Sequence, residues 1–269
     1  MLRIENVAMP SEDQWKAIIR GMRNPKNSWD RSDSGLGCYT EDEGALLCKD
    51  CEDGGCVFPD YVLGPNDHKL MSDLRNAGTD HRKFMRTIVV YLDITAPLYW
   101  WKEFKTYRAG RKFVDDEPDI IDDGYLEYDI EMNSCSTMHK IHSKEFELDD
   151  FSHEHLLKAG TSMNNETVDV NGLKCSAMGI LQHIICALNS FRTLYLETKD
   201  KKYWWQIIQL LPSSYNQKRT VMLNYEVLAN MYKSRRNHKL DEWHTFCDWI
   251  ESLPYSELIT GKVKGEENG

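Results

Sequence analysis

The sequence predicts an α+β protein that is rich in helix, with an antiparallel sheet and long helices. The run Thr87–Leu92 is β-branched and aromatic, which is typical of a strand. Beyond Asp149 the apolar residues recur at helical spacing, most clearly over Leu173–Thr198. The sequence contains no internal repeat. We therefore expect a fold in which helices dominate and are not arranged in repeated units.

Two helices and an irregular segment are predicted before the strand. Ser11–Met22 has a serine cap, acidic residues in its first turn and four apolar residues on one stripe. Asn66–Ala77 has helical character and is closed by Gly78. Residues 24–64 contain turn residues, four cysteines and little periodicity, which predicts a long irregular insertion.

A helix and an acidic insertion are predicted after the strand. Proline is well accommodated in the first turn of a helix, so Pro97 predicts a helix that runs through Tyr107. Residues 111–131 hold nine Asp or Glu residues against two Lys or Arg. Because Pro118 and Gly124 also interrupt this segment, we expect a solvated acidic loop or hairpin.

The rest of the chain is predicted to be mostly helical. Its predicted helices are Asp150–Ala159, Leu173–Thr198, Lys202–Leu211, Lys218–Tyr232 and Lys239–Leu253. Residues 260–269 are polar and are expected to form a disordered tail. A length of 269 residues suits one substantial core, so we expect a single domain over residues 1–259.

The charge balance restricts the partners of the protein. Lys and Arg total 33 against 43 Asp and Glu, a net charge of -10. This balance argues against bulk binding of nucleic acid or of an anionic membrane, although a local basic pocket for a small anion remains compatible with it. The sequence has neither a signal-like apolar start nor eighteen consecutive apolar residues. We expect a cytoplasmic protein without a membrane span.

The cysteine-containing insertion is a candidate metal site. Cys38, Cys48, Cys51 and Cys56 include one Cys-x-x-Cys pair, and four thiolates can close a tetrahedral structural zinc site. A strong zinc signature has two tight pairs, and here the second pair is missing. Free thiols in a loop are therefore the alternative interpretation.

Two segments have the composition of an anion-binding site. Pro97–Arg108 combines aromatic residues with three cations, and Asn133–Lys140 is rich in hydroxyl groups and ends in a lysine. Such a combination suits a phosphate or carboxylate ligand with an aromatic ring stacked nearby. The alternative is a core helix with lysines that reach solvent, next to a Ser/Thr-rich turn. Standard nucleotide-binding and hydrolase motifs are absent from the sequence.

These segments resemble the flavin-dependent thymidylate synthases, also called thymidylate synthase-complementing proteins. In that family a strand leads into Pro-hydrophobic-aromatic-x-x-Arg-Gln-x-x-Arg-His-Arg and then a serine-containing loop, and Pro97–Arg108 fits this frame without a gap. A second block is similar to the C-terminal block of the family. It comprises Leu211-Pro212, Lys218, Asn224, Leu228, Asn230 and Arg235.

The resemblance implies a homotetramer that binds FAD and deoxyuridine monophosphate (dUMP) at subunit interfaces. It also implies a nicotinamide reductant such as NADPH and methylenetetrahydrofolate as the methylene donor. The residues that it assigns to the flavin are Arg108, Tyr107 and Asn224. Those that it assigns to the nucleotide are Lys102, Glu103, Ser134, Lys140 and Lys218, with Ser136 in a catalytic role that orients or polarises the pyrimidine.

The departures from the family pattern leave two functions open. Glu103 replaces a glutamine, Thr106 and Tyr107 replace arginine and histidine, and Glu226 replaces a nucleotide-binding arginine. The first hypothesis is a methyltransferase-type enzyme that converts dUMP to dTMP or otherwise modifies C5 of a pyrimidine deoxynucleotide. The second is a non-catalytic nucleotide-binding protein on the same fold. Convergence of Lys105, Lys140 and Arg219 on the phosphate would favour the first.

Overall fold

A computed structural model describes residues 1–40, 44–47, 60–107, 131–158 and 167–262. Contacts divide the chain into two compact units, each assembled from three separate segments. The first unit comprises Met1–Glu5, Asp93–Thr106 and Met132–Thr220, and the second comprises Asn6–Leu92, Tyr107–Glu131 and Val221–Gly269. The single domain over residues 1–259 stays a prediction.

The strands form three sheets. The largest has the order β1-β5-β9-β6, in which β1 is Arg3–Ala8, β5 is Val89–Pro97, β6 is Glu131–Ser134 and β9 is Asn216–Asn224. A smaller antiparallel sheet has the order β3-β2-β4, with β2 at Gly35–Thr40, β3 at Gly44–Leu47 and β4 at Asp60–Val62. The third is a hairpin of β7 (Val168–Val170) and β8 (Leu173–Cys175).

The small sheet corrects the prediction of an irregular insertion over residues 24–64. Gly37 faces Leu47 on one side of β2, and Leu36 faces Tyr61 on the other. Strands this short lack a readable alternation of apolar and polar residues, so the sequence pattern did not reveal them.

Eight α-helices lie in the described part of the chain. They are α1 (Glu12–Arg23), α2 (Pro65–Asn76), α3 (Leu98–Phe104), α4 (Ala177–Thr198), α5 (Lys201–Leu210), α6 (Tyr225–Arg235), α7 (Asp241–Ser252) and α8 (Glu257–Thr260). The predicted helices at Ser11–Met22, Asn66–Ala77, Leu173–Thr198, Lys202–Leu211 and Lys239–Leu253 are confirmed within a few residues. In α1, Ser11 forms a capping box with Gln14, and the predicted apolar stripe is buried.

One predicted helix is wrong over its first half, and another is wrong over all of its described residues. Lys218–Tyr232 begins as strand β9, in which alternate residues from Gln217 to Leu223 are buried, and becomes helical only after Asn224. Leu148–Asp150 form a 3-10 helix and residues 151–158 form a loop, in place of the predicted helix over Asp150–Ala159. The expected disorder of 260–269 is also wrong at its start, because Thr260 ends α8 and Lys262 Nζ lies 2.8 Å from Glu251.

Strand β5 leads directly into α3, as the family resemblance implies. The strand begins at Val89 and continues to Pro97, beyond the predicted end at Leu92, and the helix ends at Phe104, before the predicted end at Tyr107. Val90, Leu92, Ile94 and Ala96 are fully buried on one side of the strand. Pro97 ends the strand in an extended conformation and precedes the first turn of α3. This connection places the aromatic residues of α3 directly after the strand.

Each unit has its own apolar core. In the first unit, Phe146, Phe151, Leu188 and Ile207 are among the residues that pack between α4, α5 and the 141–151 segment. In the second, the helices α6, α7 and α8 pack together around residues such as Trp243. No helix among the described residues combines the length and apolar character needed to cross a membrane.

Candidate functional site

The aromatic helix α3 is fixed to strand β9 in the first unit. Trp101 is almost completely buried, and its Nε1 donates a hydrogen bond of 3.0 Å to the carbonyl oxygen of Gln217. The guanidinium carbon of Arg219 lies 4.2 Å from the centroid of the Trp101 ring, within cation–π range. The aromatic side of α3 is therefore core packing, as the alternative interpretation of this segment holds.

The hydroxyl-rich loop is fixed to the same strand. The Cys135 amide donates to the Lys218 carbonyl oxygen at 2.9 Å, and the Gln217 side-chain amide donates to the Cys135 carbonyl oxygen at 2.6 Å. Ser134 and Ser136, on either side of Cys135, are exposed. The fold thus brings the predicted nucleotide residues of two distant segments to one place.

Ser136 organises the turn that follows it. Its Oγ accepts hydrogen bonds from the amides of Met138, at 3.3 Å, and Lys140, at 3.1 Å. A serine hydroxyl that accepts two amide hydrogens still has its own proton to donate. Ser136 can therefore hold the loop and donate to a ligand oxygen at the same time.

Lys218 is surrounded by carboxylates. Its Nζ lies 3.1 Å from Asp93 and 3.6 Å from Glu5, and its side chain is 43% exposed. The hydrogen bond to Asp93 raises the pKa of Lys218 above its ordinary value. Asp93 also accepts a hydrogen bond of 2.6 Å from the hydroxyl of Thr220. Any phosphate that binds Lys218 has to compete with these two carboxylates.

The three cations that could replace the missing arginines are placed differently from one another. Lys105 and Lys140 are exposed. Arg219 is 6% exposed, and it donates to Gln217 Oε1 through Nε at 3.0 Å and Nη2 at 2.6 Å. Burial lowers the pKa of Arg219 to about 10, so it is still cationic at neutral pH. Arg219 contacts Gln217 and Trp101. It therefore does not show the convergence of the three cations on a phosphate that would favour catalysis.

The remaining first-unit residues on α3 lie near its end. Lys102 is exposed and Glu103 is half-buried. The Glu103 carbonyl oxygen accepts from the hydroxyl and the amide of Thr106, which closes the helix.

Two predicted flavin residues belong to the second unit. Asn224 is buried, and its Oδ1 caps α6 by accepting from the Val227 amide at 2.9 Å. The ring of Tyr107 is half-buried, 5.9 Å from that of Trp243. The guanidinium of Arg235 lies 5.2 Å from the Tyr107 ring and 5.0 Å from the Trp243 ring. Both predicted residues therefore have clear structural roles.

Glu226, where the family has an arginine, forms a buried ion pair. It is 2% exposed, and its two carboxylate oxygens lie 3.1 Å and 3.0 Å from Nε of Arg82. The charge inversion at this position is thus compensated by a cation from the segment before β5. Sequence reasoning missed Arg82, Asp93 and Glu5, because nothing local in the sequence marks a partner so far away along the chain.

Several predicted site residues lie outside the part of the chain that the structure describes. Arg108, Cys48, Cys51 and Cys56 are not among the described residues, and neither is the side chain of Cys38. The structure therefore does not test the predicted zinc site. Within the described ranges, no group of three or more His, Cys, Asp or Glu side chains is arranged to hold a metal ion.

Comparison with known proteins decides the fold. The chain superposes on thymidylate synthase X of Helicobacter pylori, solved with FAD and dUMP, with a TM-score of 0.54 and 16% identity. That match covers 97% of this chain and 98% of the other. The chain has the fold of the flavin-dependent thymidylate synthases.

A second structure gives the same result. It is a flavin-dependent thymidylate synthase of Helicobacter pylori complexed with FAD and dUMP, with a TM-score of 0.53, 15% identity and coverage of 98% and 99%. A UMP/dUMP methylase of Streptomyces cacaoi aligns at a TM-score of 0.49 and 13% identity, too low to carry an argument. The sequence matches no protein-family model and no curated protein. The chain thus shares this fold at 15–16% sequence identity. At that identity the fold does not establish the function, which has to be argued from the site residues.

Proposed function

We propose that the protein is a divergent relative of the flavin-dependent thymidylate synthases that binds a pyrimidine deoxynucleotide and modifies its C5. The observation that carries this proposal is the attachment of the Ser134–Ser136 loop to the strand of Lys218, within that fold. The reaction is the conversion of dUMP to dTMP or a related change at C5.

The residues of the first unit fit a nucleotide. Ser134 and Ser136 offer hydroxyl groups. Lys218, whose carbonyl oxygen bonds the Cys135 amide, and Lys140, whose amide bonds Ser136, offer charges on flexible stems. A lysine contacts phosphate as a point charge, without the two-pronged fork of arginine. We assign Lys218 and Lys140 to the phosphate, and Ser136 to a pyrimidine oxygen that its proton can reach and polarise.

The described residues fit a flavin less completely. Tyr107 supplies a half-buried aromatic ring, and the oxygen of Asn224 is used by the helix cap, which leaves the amide nitrogen as its donor. When bound, FAD would supply the hydride that reduces a methylene-bearing pyrimidine. Tyr107, Asn224 and Arg108 would hold it. The proposal also includes NADPH as the reductant and methylenetetrahydrofolate as the methylene donor. It further includes a homotetramer, a cytoplasmic location and a structural zinc at the four cysteines.

Two observations favour the alternative, a non-catalytic nucleotide-binding protein. Glu226, which replaces a family arginine, is neutralised by a buried ion pair with Arg82, and Lys218 is partly neutralised by Asp93. Both arrangements weaken the positive potential that a family site would present to a phosphate. They also reduce the means of stabilising charge during a reaction, which favours a protein that binds a nucleotide without modifying it.

The test is the visible absorption spectrum of the purified protein, recorded after addition of FAD and again after addition of dUMP. We expect flavin bands near one FAD per chain and a spectral change on dUMP addition. Lys218→Ala should weaken the dUMP response, whereas Lys202→Ala should not, because Lys202 is an exposed lysine paired with Asp200 on α5. Absence of retained flavin together with nucleotide binding would favour the alternative.

A further inference from the structure

The buried side of strand β9 carries two polar residues. Gln217 and Arg219 lie two positions apart, so they share one side of the strand, and they are 5% and 6% exposed. Val221 and Leu223 continue that side as apolar core residues. Lys218 lies between the two polar residues and therefore on the opposite side. Burying polar groups costs stability unless they are paired, so the contacts of Gln217 and Arg219 show what they contribute.

The hydrogen bonds of Gln217 permit only one orientation of its side-chain amide. Its Oε1 accepts from Nε and Nη2 of Arg219 at 3.0 Å and 2.6 Å, and its Nε2 donates to the Cys135 carbonyl oxygen at 2.6 Å. A guanidinium can only donate and a carbonyl oxygen can only accept. A flipped amide would therefore place donor against donor at one end and acceptor against acceptor at the other. Arg219 thus determines that the NH2 group of Gln217 faces the loop.

The other contacts of Arg219 are weaker than those to Gln217. Its guanidinium carbon lies 4.2 Å from the centroid of the Trp101 ring, and its Nη1 lies 3.3 Å from Sδ of Met132, a poor acceptor. Trp101 in turn donates to the backbone carbonyl oxygen of Gln217 at 3.0 Å. Hydrogen bonds from a charged donor are stronger than neutral ones, so the two bonds to Gln217 are the main polar contacts of this buried cation.

This chain of contacts ends at the hydroxyl-rich loop. Cys135 is held at both of its backbone groups, because its carbonyl oxygen accepts from the Gln217 amide and its own amide donates to the Lys218 carbonyl oxygen at 2.9 Å. Ser134 and Ser136, on either side of it, are exposed. Of the two bonds to Cys135, the one from Gln217 comes from a side chain, so a substitution can remove it.

We infer that Gln217 and Arg219 are positioning residues of the nucleotide site, which hold the Ser134–Ser136 loop in the arrangement that binds the pyrimidine. The inference rests on the proposed function, in which Ser136 contacts a pyrimidine oxygen. Gln217 and Arg219 act from the buried side of β9, opposite to Lys218. Their effect on the nucleotide passes through the backbone of the loop.

The first experiment measures the loop in the protein without ligand, by hydrogen exchange and peptide mass spectrometry. Gln217→Glu keeps the acceptor for Arg219 and loses the donor to Cys135. We expect residues 132–144 to exchange about three- to tenfold faster, as for one hydrogen bond left unmade, and α4 to be unchanged. Gln206→Glu is the control, because Gln206 is exposed and its amide bonds within α5. Wild-type exchange in 132–144 of Gln217→Glu overturns the inference, whether or not dUMP binds.

Two variants of Arg219 test its action through Gln217. Arg219→Met removes both bonds to Gln217, so the amide is free to turn, whereas Arg219→Lys keeps a cation that can donate to Oε1. We expect Arg219→Met to show the faster loop exchange of Gln217→Glu, and Arg219→Lys to recover much of the protection. Equal acceleration of 132–144 and of α4 in both Gln217→Glu and Arg219→Met would mean that the two residues only stabilise the fold, and it overturns the inference.

The second experiment measures dUMP binding by isothermal titration calorimetry. We expect Gln217→Glu to weaken dUMP about three- to tenfold, and the uncharged Gln217→Met to weaken it to a similar extent, because both lose the bond that positions the loop. Full affinity in Gln217→Met would assign the loss in Gln217→Glu to its added charge and overturn the inference.

The two experiments separate this inference from the proposed function. A wild-type protein that binds dUMP, together with equal affinity in Gln217→Glu and Gln217→Met, overturns the positioning role and leaves the proposed function intact. A wild-type protein that does not bind dUMP overturns the proposed function and, with it, the role of the two residues in nucleotide binding.

Discussion

Lys218 Nζ lies 3.1 Å from a carboxylate oxygen of Asp93, on the neighbouring strand of the four-stranded sheet. The lysine proposed to bind phosphate is therefore already engaged by an internal anion. Under the proposed function, a phosphate has to displace Asp93 from Lys218 or share the lysine with it, so we expect this pair to limit nucleotide affinity.

The first prediction concerns this pair. Asp93→Asn removes the competing charge, and we expect it to tighten dUMP binding about two- to fivefold, since Lys218 is 43% exposed and a solvent-screened ion pair is weak. Glu5→Gln should have a smaller effect, because Glu5 is farther from Lys218, at 3.6 Å. Calorimetric titration with dUMP measures both. Weaker dUMP binding in Asp93→Asn would mean that Asp93 supports the ligand and does not compete with it.

The second prediction concerns the buried pair of Glu226 and Arg82. Arg82→Ala leaves a carboxylate that is 2% exposed without its cation, and we expect the free energy of unfolding to fall by about 3–5 kcal/mol. Urea denaturation measures the change. The double variant Arg82→Met/Glu226→Met should recover much of the loss, because it removes the buried charge altogether.

Arg20→Ala is the matched control for this experiment. Arg20 is an exposed arginine of α1, and its removal should change stability by no more than about 0.5 kcal/mol. If Arg82→Ala behaves like Arg20→Ala, the pair contributes nothing and Glu226 must be stabilised by another group.

The third prediction concerns acid stability at Asp67. Burial opposes ionisation of this carboxyl, but hydrogen bonds from Ser34, Ser32 and Arg23 outweigh it and lower the pKa of Asp67 below its usual value. The stabilisation is complete above the unfolded-state pKa of about 4 and is lost as the pH falls through the lower folded-state pKa. Unfolding free energies measured at a series of pH values should show this decline.

Ser34→Ala tests the assignment. The Ser34 hydroxyl donates to Asp67 at 2.6 Å, so its removal should raise the pKa of Asp67, move the acid decline to higher pH and cost about 1–3 kcal/mol at neutral pH. Ser190→Ala, which removes a hydroxyl that bonds within its own helix, should leave the profile unchanged. An identical acid profile in the wild type and Ser34→Ala would mean that Asp67 does not cause the loss of stability at low pH.

The fourth prediction separates the two roles of Ser136. Ser136→Ala loses both the acceptor for the turn and the donor for the pyrimidine, and we expect dUMP binding to weaken about tenfold, as for a hydrogen bond left unmade. Ser136→Thr keeps the hydroxyl and should retain most of the binding. Ser143→Ala, a serine later in the same segment, is the control. Equal dUMP affinity in Ser136→Ala and the wild type would contradict a ligand role.

Much of the helical part of the fold could be predicted, because its signals are local. Helix α1 begins with the Ser11 capping box, and α4 and α5 begin with the Ser176 and Asp200 caps. Each cap lies within a few residues of the apolar residues whose helical spacing predicts its helix. The strand β9 was missed because its apolar residues run directly into those of α6. Only Asn224, an N-cap in the middle of the run, marks the change from a period of two to a helical period.

The site was harder to predict because its chemistry depends on distant pairs. Ser136 and Lys218 could be selected by resemblance, but the carboxylate that restrains Lys218 belongs to another strand. The cation that compensates Glu226 is 144 residues away in the sequence. A single sequence shows which charged residues are present, but it does not show which of them form pairs. That depends on the tertiary fold.

The most direct test of the central claim is the release of tritium from dUMP labelled at C5, in the presence of FAD, NADPH and methylenetetrahydrofolate. We expect dUMP-dependent release that is lost in Ser136→Ala and retained in Ser143→Ala. Saturable dUMP binding with no tritium release under the same conditions would contradict modification at C5 and identify a non-catalytic nucleotide-binding protein.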